Sequence, residues 1–130
     1  MSVTPAPSRV VSQTVFSDEI LWRLGTQAHT PVVGVSKFAD DVRYSDVAGL
    51  WPKTVIRLSS HSEDIFRLQP DLVIVAPFSS PEVHALMTAT GIKTLRLEPF
   101  SGIDSLRRNV LAIATALGLT GQGNSANQRF

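Results

Sequence analysis

The chain has 130 residues, a length that suits one domain with its own hydrophobic core. Hydrophobic residues make up 43% of it, which excludes an intrinsically disordered composition. Twelve basic and eleven acidic side chains leave a net charge of +1, so net charge gives no indication of nucleic-acid or membrane-surface binding. Because the chain has no cysteine, disulfides, thiolate metal sites and cysteine nucleophiles are excluded.

The first predicted elements are an arm, a strand and a helix. Residues 1–8 carry two prolines, lack the apolar stretch of a signal peptide, and are predicted to form a loose arm. A short strand is predicted over residues 9–12. Ser17 or Asp18 is then predicted to cap a helix that Gly25 ends.

The middle of the chain is less regular. A second strand is predicted at Val32–Val35, and an alternating pattern over residues 54–58 favours a further short strand. Between them, residues 36–52 lack periodicity and carry scattered aromatic side chains. Ser60 and Glu63 fit an S-x-x-E capping box, which indicates the start of another helix.

The central strand of the predicted sheet is the apolar run over residues 72–76, which prolines flank on both sides. A continuous apolar run of this length is typical of a strand buried on both faces, and such strands occur in parallel sheets covered by helices. The neighbouring segments provide these helices at residues 62–68 and 81–90. Ser80 is the predicted N-cap of the second helix, with Pro81 at its first position.

The last part repeats the alternation of strand and helix. Residues 92–97 are predicted to form a strand, and Ser101 is predicted to cap a final helix that Gly118 ends. Apolar residues spaced by three and four make that helix amphipathic. They are Ile103, Leu106, Val110, Ile113 and Leu117. Residues 121–130 have neither periodicity nor apolar content and are expected to be frayed or disordered.

This order of elements predicts the α/β fold class: a Rossmann-like parallel sheet of four or five strands with helices on both faces. The strands expected to be neighbours are Val10–Ser12, Val32–Val35, Leu72–Val75 and residues 94–97. Ligands of such sheets bind beyond the carboxyl ends of the strands. The segments expected there are residues 12–16, 36–41, 76–80 and 98–101.

Motifs of common catalytic and cofactor sites are absent from the sequence. It has no G-x-G-x-x-G, no P-loop and no G-x-S-x-G elbow, so no catalytic residue and no cofactor is predicted. The three histidines are scattered without partners at metal-ligand spacing, which predicts no metal site. Asp40 and Asp41 are interpreted as a loop or helix-cap pair in preference to a metal or phosphoryl site.

Eight short segments, taken together, are more specific than any single motif. In chain order they are residues 9–12 (RVVS), 18–21 (DEIL), 24–25 (LG), 32–36 (VVGVS), 63–65 (EDI), 68–74 (L-x-P-D-L-V-I), 90–92 (TGI) and 103–118. Over about residues 9–120 the chain thereby resembles the start of the periplasmic substrate-binding proteins of ABC importers for iron-siderophores, haem and cobalamin. The P-D-L-V strand with its upstream glutamate is the most specific part of the resemblance.

The resemblance implies a periplasmic binding protein and no enzyme. Its implied ligand is a metal chelate, such as a ferric siderophore, haem or a corrinoid, and its implied partner is the permease of an ABC transporter. Members of the family enclose the ligand between two α/β lobes joined by a long helix. Because the chain stops where that helix would begin, it is interpreted as the N-terminal lobe without its C-terminal lobe. Residues 121–130 are then a disordered tail or the truncated start of the interlobe helix.

The resemblance also implies that the strand-end loops form half of the ligand cleft. The expected ligand-binding residues are Thr14, Val15, Phe16, Lys37, Phe38, Trp51, Phe78, Ser79 and Phe100. The aromatic members of this set suit core packing equally well, and Tyr44 is a candidate iron ligand for which packing is the stronger interpretation. Glu63 matches the acidic residue that docks on the transporter, and it equally fits the capping box.

Two questions stay open at this stage. The segment Thr14-Val15-Phe16 stands where the family often has Ser-Pro-Ser, so the class of chelate is not determined. The alternative interpretation of the whole chain is a stand-alone Rossmann-like domain that serves as an interaction module or as part of an enzyme.

Overall fold

The computed structural model describes residues 6–58, 63–77 and 81–128. Within these residues, five strands form one sheet: β1 Val10–Ser12, β2 Val32–Val35, β3 Ile56–Arg57, β4 Leu72–Val75 and β5 Lys93–Arg96. All neighbouring strands are parallel, and their order is β3-β2-β1-β4-β5. This confirms the predicted α/β class, the parallel sheet and the four neighbouring strands.

Helices lie between most consecutive strands and after β5. They are α1 Val15–Arg23, α2 Thr26–His29, α3 Glu63–Arg67, α4 Pro81–Ala89, α5 Ile103–Ala116 and α6 Thr120–Asn127. Residues 36–55 between β2 and β3 form turns and bends, in agreement with the irregular segment predicted there.

Two apolar clusters show that helices cover both faces of the sheet. Successive side chains of a strand point to opposite faces, and the two central strands divide accordingly. On one face Val10 packs with residues of α1 and α5, whereas on the other Val11 packs with Ile65 of α3 and Met87 of α4. All four residues of β4 are buried, which explains its continuous apolar run.

Helix α1 begins earlier than the sequence predicts. Its N-cap is Thr14, whose hydroxyl accepts a hydrogen bond from the N–H of Ser17 at 2.8 Å. Ser17 and Asp18 lie inside the helix and are fully buried, so the predicted cap at these residues is wrong. The reason is a tertiary contact: the Asp18 side chain accepts hydrogen bonds from Ser36 at the end of β2 and is not available to cap α1. Gly25 follows the helix with φ of 104°, a conformation that favours glycine, as expected for the residue that ends it.

The start of α5 also differs from the prediction. Gly102 occupies the N-cap position, while the N–H of Ser101 donates to the Ser105 hydroxyl at 2.8 Å. Ser101 therefore does not cap the helix. The first residue of the predicted apolar stripe, Ile103, is 47% exposed because it precedes the part of α5 that faces the sheet.

The glycine-rich segment near the end of the chain forms helix α6 in place of a frayed tail over Thr120–Asn127. Gly123 packs so closely on α5 that a Cβ atom there would lie 2.5 Å from the Cβ of Ala114. The helix thus packs closely on α5 at a residue without a side chain. A pattern of apolar side chains does not reveal packing of this kind.

The end of the N-terminal arm is held against the sheet. Asp71 accepts hydrogen bonds from the N–H of Ser8 at 2.8 Å and of Arg9 at 2.9 Å. The predicted loose arm therefore does not extend to Ser8. The predicted caps Ser60 and Ser80 lie outside the described residues.

Candidate functional site

The candidate site is a pocket of about 580 Å³ at the carboxyl ends of β1, β4 and β5. The chain runs outward from β1 through β2 to β3 and then returns to place β4 on the other side of β1. This reversal makes the crevice between β1 and β4 the topological switch point, where ligands of open α/β sheets bind. The lining residues are Thr14, Phe16, Ala76, Pro77, Leu97, Glu98, Pro99, Phe100, Leu106 and Asn109.

Most of the pocket lining is apolar. Its polar side chains are hydrogen-bonded or ion-paired to other groups of the protein. The Asn109 amide accepts from the N–H of Glu98 at 2.9 Å and donates to the carbonyl of the same residue at 3.0 Å. The Glu98 carboxylate pairs with the Arg108 guanidinium at 2.8 Å. These hydrogen bonds from Arg108 hold the pKa of Glu98 below its ordinary value, so Glu98 is ionised at neutral pH. The Thr14 hydroxyl is hydrogen-bonded to the N–H of Ser17 as the N-cap of α1.

The β1–α1 turn beside the pocket is ordered by buried hydroxyl groups. Ser12 and Ser17 are hydrogen-bonded to each other, and Thr14 and Ser17 approach to 2.7 Å. Next to them, the Ser36 hydroxyl donates to the Asp18 carboxyl at 2.6 Å. Burial raises the pKa of Asp18 to about 6, against the opposing effect of its hydrogen bonds. Ser12, Ser17 and Asp18 are fully buried, so this cluster joins structural elements and is not open to a substrate.

The structure brings three predicted ligand residues together. Thr14, Phe16 and Phe100 line the pocket, and Phe100 is 74% exposed at its rim. Val15 is the half-buried first residue of α1 and is not part of the lining.

The other predicted ligand residues lie elsewhere. Lys37 and Phe38 are exposed beyond the end of β2, outside this pocket. Trp51 is only 3% exposed, and its ring centroid lies 5.1 Å from that of Trp22 in the core. This placement corrects the expectation that Trp51 faces the ligand. Phe78 and Ser79 lie outside the described residues.

Leu106 and Asn109 of α5 were not among the predicted site residues. Asn109 precedes Val110 on the buried side of α5 and is itself 7% exposed. A polar residue next to the apolar stripe of an amphipathic helix is a signal that it bonds to something inside the fold, and here it bonds to the β5–α5 loop. The sequence does not reveal which loop it contacts.

Glu63 is the exposed first residue of α3. Because a helix between two parallel strands runs back against them, the start of α3 lies at the carboxyl edge of the sheet, as the pocket does.

Within residues 6–58, 63–77 and 81–128, no group of three or more potential metal ligands is close enough to hold an ion. Over the same residues, no helix is long and apolar enough to cross a bilayer.

Comparison of the sequence with protein-family models and with curated proteins finds no match. Solved structures do match. The periplasmic heme-binding protein RhuT from Roseiflexus sp. RS-1 is 25% identical with a TM-score of 0.73, over 94% of this chain and 45% of that one. A possible iron-binding, periplasmic solute-binding protein from Staphylococcus epidermidis is 21% identical with a TM-score of 0.78, over 95% and 47%. The periplasmic vitamin B12 binding protein of Vibrio cholerae is 21% identical with a TM-score of 0.68, over 97% and 48%.

The chain therefore has the fold of one part of the periplasmic binding proteins of this class, and it spans about half the length of the structures it matches. The predicted resemblance is confirmed at the level of the fold. The names of these similar structures describe them as binding proteins.

Proposed function

We propose that the chain binds a bulky metal chelate, such as a ferric siderophore, haem or a corrinoid, as part of the periplasmic substrate-binding component of an ABC importer. The observation that carries this proposal is the apolar pocket at the switch point of the sheet. Its volume of about 580 Å³ is typical of a small-molecule site. The proposal is supported by the matching structures, whose names state heme, iron or vitamin B12 binding.

The chemistry of the lining favours a chelate over a bare ion. An ion needs charged or polar ligands, but Glu98 is paired with Arg108 and Asn109 is bonded to the β5–α5 loop. Phe16, Phe100 and the neighbouring apolar side chains offer contact to the organic shell of a chelate instead. The open rim at Phe100 allows the ligand to extend beyond the pocket.

We further infer that a second lobe completes the site. This inference, that the pocket is one wall of a larger cleft, is supported by the length of the chain, which covers a little under half of the proteins it matches. If a complete site binds with a Kd of about 1 μM, near −8 kcal/mol, half of that interaction corresponds to a Kd of about 1 mM. The entropic cost of association is not halved when only one wall is present, so one wall alone binds the ligand more weakly than this halving suggests.

We infer no catalytic activity from the pocket. Its described lining contains no nucleophile next to a general base, and the buried serine and aspartate cluster beside it is closed to solvent.

Glu63 is the proposed contact to the permease, because an exposed carboxylate at the edge of the cleft can pair with an arginine of a partner.

The test is titration of the purified chain with haemin, cyanocobalamin and ferrichrome, followed by absorbance or calorimetry, with molybdate as a small-ion control. We expect one chelate to bind with a Kd of about 1 mM or weaker and molybdate not to bind. Phe100→Ala should weaken binding several-fold through loss of an aromatic contact. The matched control is Leu86→Ala, which removes an exposed apolar side chain of α4 that does not line the pocket. Equal affinities of the two variants, or binding of molybdate alone, would contradict the proposal.

A further inference from the structure

Three hydroxyl groups connect the buried carboxyl of Asp18 to the lining of the pocket. Ser12 is hydrogen-bonded to the Asp18 carboxyl and to the Ser17 hydroxyl. The Ser17 hydroxyl in turn lies 2.7 Å from that of Thr14, whose side chain lines the pocket. Ser12, Ser17 and Asp18 are fully buried, so this hydroxyl relay, Ser12–Ser17–Thr14, meets the pocket at Thr14.

When Asp18 is ionised, the hydroxyl relay has one direction. Each hydroxyl donates one proton and accepts at its oxygen, whereas a carboxylate only accepts, so Ser12 donates to Asp18. The proton of Ser12 is then used, so Ser17 donates to Ser12, and Thr14 donates to Ser17. The Thr14 oxygen also accepts from the N–H of Ser17 at 2.8 Å, which leaves one lone pair for a donor in the pocket.

Protonation of Asp18 reverses this direction. A protonated carboxyl donates one hydrogen bond, and Ser12 can accept it because the Ser17 hydroxyl and the Thr14 carbonyl, 3.2 Å away, are acceptors for the proton of Ser12. Ser36 continues to donate to the carboxyl at 2.6 Å. Ser17 then donates to the Thr14 oxygen, and the proton of Thr14 is released for an acceptor in the pocket.

The surroundings of Asp18 allow both protonation states near neutral pH. Burial raises its pKa to about 6, and the neighbouring charge of Glu19 on α1 adds to this rise. Lys37, beyond the end of β2, is exposed at the surface. Strands β1 and β4 carry no charged side chain, and on α5 Arg108 is paired with Glu98. Both directions of the hydroxyl relay are therefore populated between about pH 5 and pH 7.

We propose that Asp18 is a positioning residue whose ionisation sets the polarity of the Thr14 hydroxyl. This hydroxyl accepts from the pocket when Asp18 is ionised and donates to the pocket when Asp18 is protonated, so ligand oxygen atoms are favoured at acidic pH. The reversal is a property of the chain alone, whereas its effect on a ligand rests on the proposed function. The two parts are therefore tested separately.

The reversal is tested without ligand by NMR of carbon-labelled threonine methyl groups and aspartate carboxyl groups between about pH 5 and pH 8. The Thr14 methyl resonance is assigned from its loss in Thr14→Ser. In wild type it should shift with the same apparent pKa as the Asp18 carboxyl, and in Asp18→Asn it should not titrate, because the amide cannot ionise.

Ser17→Ala separates the hydroxyl relay from the electric field of the carboxylate. It interrupts the relay, but it keeps Asp18 and the backbone N–H that donates to Thr14. The Thr14 methyl titration should largely disappear in this variant while Asp18 still titrates, and Ser12→Ala, which interrupts the relay at its other end, should act in the same way. A Thr14 titration of wild-type size in either variant, or none in wild type, overturns the reversal.

The effect on a ligand is tested with ferrichrome, whose hydroxamate oxygens accept hydrogen bonds and whose charge is constant over this pH range. Wild type should bind it several-fold more tightly at about pH 5 than at about pH 8, the factor expected for one hydrogen bond. Asp18→Asn should bind it equally at both pH values, as tightly as wild type does at low pH, because its amide donates to Ser12 as a protonated carboxyl does.

Equal wild-type affinity for ferrichrome at both pH values overturns the effect on the ligand and leaves the proposed function intact. Absence of ferrichrome binding at both pH values also overturns this effect, while the titration with all three chelates decides the proposed function. In either case the spectra without ligand decide whether Asp18 reverses the hydroxyl relay.

Discussion

The buried carboxyl of Asp18 makes the stability of the fold depend on pH in a direction opposite to that of a paired surface carboxylate. Its side chain is fully buried and accepts hydrogen bonds from the N–H and hydroxyl of Ser36. Burial raises its pKa from 3.8 to about 6. The informative perturbation is Asp18→Asn, because the amide has the same shape, still accepts from the Ser36 N–H and cannot ionise.

The sign follows from proton linkage. Between pH 3.8 and about 6 the folded chain binds more protons at Asp18 than the unfolded chain does, so the free energy of unfolding falls as the pH rises. The contribution is fully present below the unfolded pKa and is lost as the pH passes about 6. At about 1.4 kcal/mol per pKa unit, the difference between 3.8 and about 6 corresponds to about 3 kcal/mol. Because part of this change already lies below pH 4, Asp18→Asn should gain about 2 kcal/mol relative to wild type between pH 4 and pH 7.

Urea unfolding followed by circular dichroism, at intervals between pH 4 and pH 7, measures this difference. Glu82→Gln is the matched control, since it neutralises an exposed carboxylate of α4 outside the contact between Asp18 and Ser36. A difference between Asp18→Asn and wild type that does not vary with pH would refute the reasoning, because it would mean that Asp18 has the same pKa in the folded and unfolded chain.

Two further predictions concern helix packing and partner binding. Gly123→Ala should destabilise the fold by about 1–3 kcal/mol in urea unfolding, because the added methyl collides with Ala114, whereas Gly121→Ala, with open space around its Cβ, should be neutral or stabilising. Equal effects of the two substitutions would contradict the close packing of α6 on α5. In cells that take up the chelate through this protein, Glu63→Ala should lower the uptake rate while the Kd changes less than about threefold, because a rim charge acts on partner docking. Uptake as high as in a Glu82→Ala control would remove the docking role.

Part of the site was predictable because the carboxyl ends of parallel strands share one edge. The predicted strand-end segments contain Phe16 and Phe100, and the structure places both in the pocket lining. Trp51 was predicted from its aromatic character alone, and burial against Trp22 places it in the core instead. An aromatic ring suits a ligand pocket and a core equally well, so residue type does not separate the two. The predicted contacts at Phe78 and Ser79 lie outside the described residues.

The sequence by itself determined the class of the fold. The continuous apolar run of β4 and the glycines that end helices, such as Gly25 and Gly118, are local signals, and they specify alternating strands and helices because burial and backbone conformation act within a few residues. Only the tertiary structure decided where α1 begins, since Asp18 bonds to Ser36 across the fold and leaves Thr14 to cap the helix. It also decided that a glycine-rich segment forms α6, because Gly123 gains its packing from Ala114 of another helix. Contacts between residues distant in sequence depend on the order of the strands, β3-β2-β1-β4-β5, which no local pattern encodes.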